Sequence, residues 1–145
     1  MRTAIIHEWL ASYAGAERVL EQMLRVLPRA ELMALVDVLG PGQRSFLGSR
    51  PVSTSVLQRM PFSRNHFRWY LPWMPLAVEQ FDVSGFDMVV SNSHAVAKGV
   101  LTQPQQLHLC MCYSPMRYAW HLQEQYLRGS GLAGGLRGLL ARRAL

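Results

Sequence analysis

The chain opens on a short apolar run, Thr3 to His7, followed by a loop carrying Ser12 and Gly15. AERVLEQMLRVL then sets Val19, Leu20, Met23, Leu24 and Leu27 at the three-and-four spacing of one helix face, and Pro28 ends it. ELMALVDVLG is continuously apolar again and runs into a Gly-Pro-Gly turn. Strand, loop, helix and strand in that order predict a βαβ unit. The fold class expected is therefore α/β: a Rossmann-like parallel sheet with helices on both faces.

From Gly40 to Phe81 the pattern is less regular, broken by Pro51, Pro61, Pro72 and Pro75. Short, proline-kinked helices are expected around Thr54–Met60 and Arg64–Phe81. Strand character returns at Phe86–Ser91, and a helix from His94 to Leu101 with Ser93 as its N-cap is expected next. Leu107–Cys112 reads as a further buried strand. A helix with Pro115 near its first turn is expected to run to Arg128. The tail, with glycines at 129, 131, 134, 135 and 138, reads as a linker and the start of a helix without a C-terminal cap.

At 145 residues the chain has the length of one domain with a real core. Half its residues are apolar and 17% are charged, which excludes a disordered chain. The net charge of +6 comes from 14 arginines and one lysine, Lys98, against nine acids. No run of five or six like charges occurs, so nucleic acid is not expected as a partner, and phosphorylated substrates or anionic lipid are. The start MRTAIIHEWL lacks the apolar region of a signal peptide, and no stretch approaches a membrane span. A cytoplasmic protein is expected, in contact at most with the inner membrane face. Cys110 and Cys112 stand two apart, at the far limit for a disulfide within a strand and without the partners of a zinc site. They are expected to be buried, reduced thiols. The five histidines show no metal-ligand spacing, and the G-x-S-x-G and G-x-G-x-x-G patterns are absent.

In open parallel sheets ligands bind at the carboxyl ends of strands. Three polar segments fall there: His7-Glu8-Trp9 with Tyr13 to Arg18, Ser91 to His94, and Tyr113 to Tyr118. Gly15 begins a helix whose N–H groups can face a phosphate, or it is a plain turn glycine. His94 is suited to acid–base work or phosphate contact, or is structural. Lys98 lies one helical turn further on, as a ligand cation or an exposed solubilising residue. Arg117 is placed to clamp a phosphate or carboxylate, or to pack on its aromatic neighbours. QRMPFSRNHFRWYLPWMP mixes arginines with aromatics. Arg64, Arg68, Trp69 and Trp73 there are the residues expected at a membrane surface, the alternative being a helix packed on its own domain.

Four collinear motifs carry a family resemblance. H-E-W-L with A-G-A-E-R-V-L, R-W-Y-L-P-W-M-P-L-A-V-E-Q at Arg68–Gln80, S-N-S-H-A-V-A-K-G-V at Ser91–Val100 and C-Y-S-P-M-R-Y-A-W at Cys112–Trp120 resemble the amino-terminal half of bacterial family 4 glycosyltransferases. The resemblance spans Met1 to about Arg128. It implies the N-terminal half of a GT-B fold, in which two Rossmann-like domains enclose the active site. The amino-terminal half binds a saccharide or lipid-linked acceptor. The carboxyl-terminal half binds the nucleotide-sugar donor through two glutamates eight positions apart. Transfer retains configuration, with the nucleotide sugar as co-substrate and no cofactor or metal. Polysaccharide synthesis, with mannose or related donors, is the usual setting.

On this chain the resemblance puts Gly15 and Ala16 at the donor diphosphate. His7, Lys98 and Arg117 fall on the acceptor side, and His94 and Tyr113 in catalytic positions. The chain has Ala14-Gly15 where relatives have two glycines, Tyr113 where many have histidine, and His121 where many have aspartate. Residues 1–128 are expected to be the acceptor-side domain and 129–145 a linker. The glutamate pair does not occur, so the donor domain is expected to be missing and the chain inactive alone. The alternatives are a non-enzymatic remnant, a domain that pairs with a separate donor chain, or a free-standing nucleotide-binding protein.

Overall fold

β1 (Thr3–Leu10) is the middle strand of a five-stranded sheet, and seven of its eight residues are buried. On one side lie β2 (Glu31–Asp37) and β3 (Val52–Thr54), on the other β4 (Met88–Ser93) and β5 (Leu107–Cys112). Every pairing is parallel, in the order β3-β2-β1-β4-β5. Ile6, for example, is paired with Met33 of β2 and with Ser91 of β4. The computed structural model describes residues 1–113, of which Met1–Cys112 fold as one unit.

Two apolar cores, one for each face of the sheet, establish the Rossmann-like α/β fold. On one face α1 (Gly15–Val26) presses Leu20 and Leu24 onto Ile5, Leu32, Ala34 and Val90. These two leucines share the stripe that the sequence spacing predicts, and burying each contributes about 1.5–3 kcal/mol. On the other face α3 (Met74–Glu79) brings Met74, Ala77 and Val78 against Ile6, Leu35 and Val89. α2 (Ser63–His66) and a 3-10 stretch, Phe67–Trp73, precede α3. The expected helix at Arg64–Phe81 is thus a broken helical run, with Pro72 and Pro75 at its joints.

The structure corrects four expectations. No α-helix follows Ser93: residues 94–100 form a loop with one 3-10 turn, Ala97–Gly99, because their N–H groups turn inward to a buried carboxylate. Thr54–Met60 is the end of β3 followed by a 3-10 turn at Val56–Arg59. β1 and β4 extend beyond His7 and Ser91, to Leu10 and Ser93. Their polar ends find partners inside the protein, so the strands need not stop there. Finally, Leu107–Cys112 is a strand but not a buried one. Among the described residues it pairs only with β4, and Cys110 and Cys112 are exposed on it. A strand is buried only when its faces are covered, which apolar composition does not ensure. Partial desolvation of its sulfur and then Cys112 beside it raise the Cys110 thiol above its ordinary pKa.

Candidate functional site at the ends of β1 and β4

From β1 the chain passes to β2 on one side, while β4 occupies the other. The carboxyl ends of β1 and β4 therefore flank the point where the sheet's winding reverses, the place where such sheets bind ligands. His7, Glu8, Asn92, Ser93 and His94 all lie there. Adjacent residues of a strand point to opposite faces, and His7 and Glu8 build two separate networks accordingly.

Glu8 is fully buried on the face away from α1. Its Oε1 accepts from Ser93 Oγ at 3.0 Å and from the backbone N–H groups of His94 (3.1 Å), Val96 (2.7 Å) and Ala97 (3.3 Å). The Ala95 N–H also points to it. Its Oε2 lies against Nδ1 of His94. Burial by itself raises the Glu8 pKa. Contact with His94 and the N–H groups of Ala95 and Ala97 outweigh it, so the carboxyl lies below its ordinary value and stays charged. A run of inward N–H groups is the kind of nest that holds phosphates and other anions. In this protein the nest is filled from within, by Glu8.

His94 is the exposed end of this network, its side chain 34% accessible. The edge of its ring meets Trp9, with centroids 4.8 Å apart at 90°. With Nδ1 on a carboxylate, the neutral ring carries its proton at Nδ1 and presents Nε2 as an acceptor. Among the described residues Nε2 makes no hydrogen bond. The arrangement can take a proton from a hydroxyl, or as an imidazolium donate to a phosphate oxygen.

On the α1 face His7 is 1% exposed. Its Nε2 lies 3.3 Å from Glu17 Oε1 and its Nδ1 3.1 Å from Asn92 Nδ2. The same Asn92 nitrogen donates to the Ala16 carbonyl at 3.1 Å, which fixes the amide orientation. His7 Nδ1 is then the acceptor and Nε2–H the donor to Glu17. Both ring nitrogens are engaged inside the protein, and the ring ties β1 to α1 and β4. Glu17 Oε2 also accepts from the Ala14 N–H at 3.0 Å. Burial raises the Glu17 pKa, but His7 and the backbone donors more than offset it, leaving it lowered.

Gly15 begins α1, and a Cβ placed on it would meet nothing within 4 Å. The Glu17 carboxylate sits in the first turn of the helix. Beside it, a hollow of about 430 Å³ is lined by Tyr13, Glu21, Gln43, Ser45 and Phe46. Tyr13 and Phe46 are 5.1 Å apart there, and the Tyr13 hydroxyl donates to Glu21.

Lys98 is exposed on the Ala97–Gly99 turn, and its N–H donates to Ser93 Oγ at 3.2 Å. Tyr113 follows the end of β5 directly. Arg64, Arg68, Trp69 and Trp73 are exposed on the proline-broken segment. Arg117, the Pro115–Arg128 helix and the 129–145 tail lie outside the described residues. Among those described, no cluster of side chains suits a metal ion.

The structure thus joins His94 to Glu8 and His7 to Asn92. Glu8 and Asn92 fall in the polar segments that the sequence singles out, yet their roles have no signature in spacing. The only hint is an acid in an apolar strand, which must find donors. No protein-family model, curated protein or solved structure matches this chain.

Proposed function

We propose that this chain is the acceptor-side domain of a glycosyltransferase that uses a nucleotide-sugar donor and a saccharide or lipid-linked acceptor. The observation that carries the proposal is the contact between Glu8 and His94. It brings the H-E-W-L and S-N-S-H segments, two of the motifs that resemble family 4 glycosyltransferases, to one point at the winding reversal. A histidine held at Nδ1 by a buried carboxylate suits an acceptor hydroxyl or phosphate at Nε2. Gly15 and Ala16, at the start of α1, are the residues this reading assigns to the donor diphosphate. Lys98, exposed on the neighbouring turn, supplies a further cation. In this reading the sugar is transferred with retention, and the protein works on the cytoplasmic side of the membrane.

Ligand-observed NMR with a short-chain isoprenyl-diphosphate saccharide tests the reading. Binding by the chain that is lost in His94→Ala, with Cα shifts elsewhere unchanged, supports it. Tight binding of UDP or GDP with no saccharide binding favours a free-standing nucleotide-binding protein instead.

A further inference from the structure

The longest stretch of this chain without an acid is Val38 to Val78, which contains Arg44, Arg50, Arg59, Arg64 and Arg68. Five positive charges in one segment nearly account for the net +6. Within it, from Val56 to Leu76, stand six of the thirteen large apolar side chains exposed among the described residues. Phe62 is 70% exposed, Trp69 66%, Val56 and Trp73 61%, Leu76 55% and Met60 41%. Scattered exposed apolar residues are ordinary, but such a concentration marks an interaction surface.

Two further observations concern the same patch. Phe62 has φ 59°, the only positive φ outside glycine among the described residues. For a bulky side chain that conformation is strained, and here the strain holds an aromatic ring out in water rather than in a core. Next to Trp73 an apolar groove of about 540 Å³ opens between Val56, Met60, Tyr70 and Leu76. Arg59, Arg64 and Arg68 are exposed, and among the described residues none is ion-paired.

We propose that the Val56–Leu76 surface docks the protein on an anionic phospholipid bilayer. Phe62, Trp69, Trp73 and Leu76 enter the interfacial layer, and Arg59, Arg64 and Arg68 meet headgroup phosphates. Charge selects this occupant: a patch of exposed tryptophans and arginines, drawn from a segment that contains no acid, is complementary to an anionic interface. No described helix is long and apolar enough to cross a membrane, so contact is made by the surface alone. The patch is joined to the candidate site through the core. Phe67 packs on Trp9 at 5.6 Å, and Trp9 on His94. The proposal stands on the patch itself and does not depend on the transfer reading.

Co-sedimentation of the full chain with phosphatidylglycerol-containing vesicles and with pure phosphatidylcholine vesicles tests it. Binding to the anionic vesicles is expected, weakening at high salt. Arg64→Glu with Arg68→Glu is expected to weaken it roughly tenfold or more, from about 1 kcal/mol per charge at the surface. Trp69→Ala with Trp73→Ala is expected to weaken it to a similar degree. All four side chains are exposed, and unchanged circular dichroism confirms that the variants fold. No binding by the unaltered chain, or equal binding by both variants, overturns the proposal. So does a dimer in solution that the tryptophan substitutions dissociate, which would make the patch a self-association face.

Discussion

Glu8 Oε2 lies against Nδ1 of His94, and Glu8 Oε1 collects the backbone N–H groups of the loop that carries His94. One buried side chain of β1 thereby sets both the orientation of the ring and the path of residues 93–97. Glu8 is accordingly a positioning residue, and the loop is its ligand.

Replacing that charge should be costly. Glu8→Gln keeps the shape but turns charge-assisted bonds into neutral ones and puts an amide among donors. A loss of about 2–4 kcal/mol in urea unfolding is expected. Glu8→Ala vacates the nest, and acetate or phosphate is expected to restore part of its lost thermal stability by binding there. A Tm of Glu8→Ala that acetate and phosphate leave unmoved would show that the nest does not hold anions.

Acid should act on the same carboxylates. Glu8 and Glu17 both have pKa values below the ordinary 4.5 in the folded protein. Their stabilising contribution is full above that value and is lost as pH falls through the lower folded-state values. Thermal melts of the unaltered protein should therefore fall in Tm below about pH 4.5, where the linkage begins to act. In Glu8→Gln that fall should be shallower, since one of the two groups no longer titrates.

Asn92 supplies one nitrogen to two acceptors, His7 Nδ1 and the Ala16 carbonyl. Asn92→Ala leaves both without that donor in a buried place. A cost of about 1–3 kcal/mol is expected by denaturant unfolding, with the Glu8–His94 network on the other face intact. Unchanged NMR chemical shifts of the His94 ring in Asn92→Ala would confirm the separation of the two networks.

Gly15 separates packing from binding. A Cβ there meets nothing within 4 Å and its φ is not positive, so Gly15→Ala should leave stability unchanged or raise it by about 0.4–1 kcal/mol. Loss of nucleotide-sugar binding in a variant of undiminished Tm would place the diphosphate against this backbone. Unchanged binding would remove Gly15 from the donor site.

Phe62→Gly relieves a left-handed backbone at an exposed position. A gain of about 1 kcal/mol is expected by chemical unfolding, the released strain exceeding the entropy that glycine adds to the unfolded chain. A destabilised variant would mean that the ring's contact with Trp69, at 6.4 Å, matters more than the strain.

Sequence alone was enough for the βαβ start, the amphipathic stripe of α1 and the parallel sheet class, because these rest on periodicities that each segment carries within itself. It also located the polar segments around His7–Trp9 and Ser91–His94 at the strand ends, since parallel topology places them there. The loop at 94–100 was beyond it. Local spacing favours a helix, but a carboxylate 86 positions earlier draws the same N–H groups inward. The short strand Val52–Thr54 and the exposure of Cys110 and Cys112 were decided in the same way, by which neighbours a segment meets across the sheet. Only the tertiary structure turned Glu8, an acid in an apolar strand, into the group that orients His94, because its donors lie on another strand and the loop that follows it.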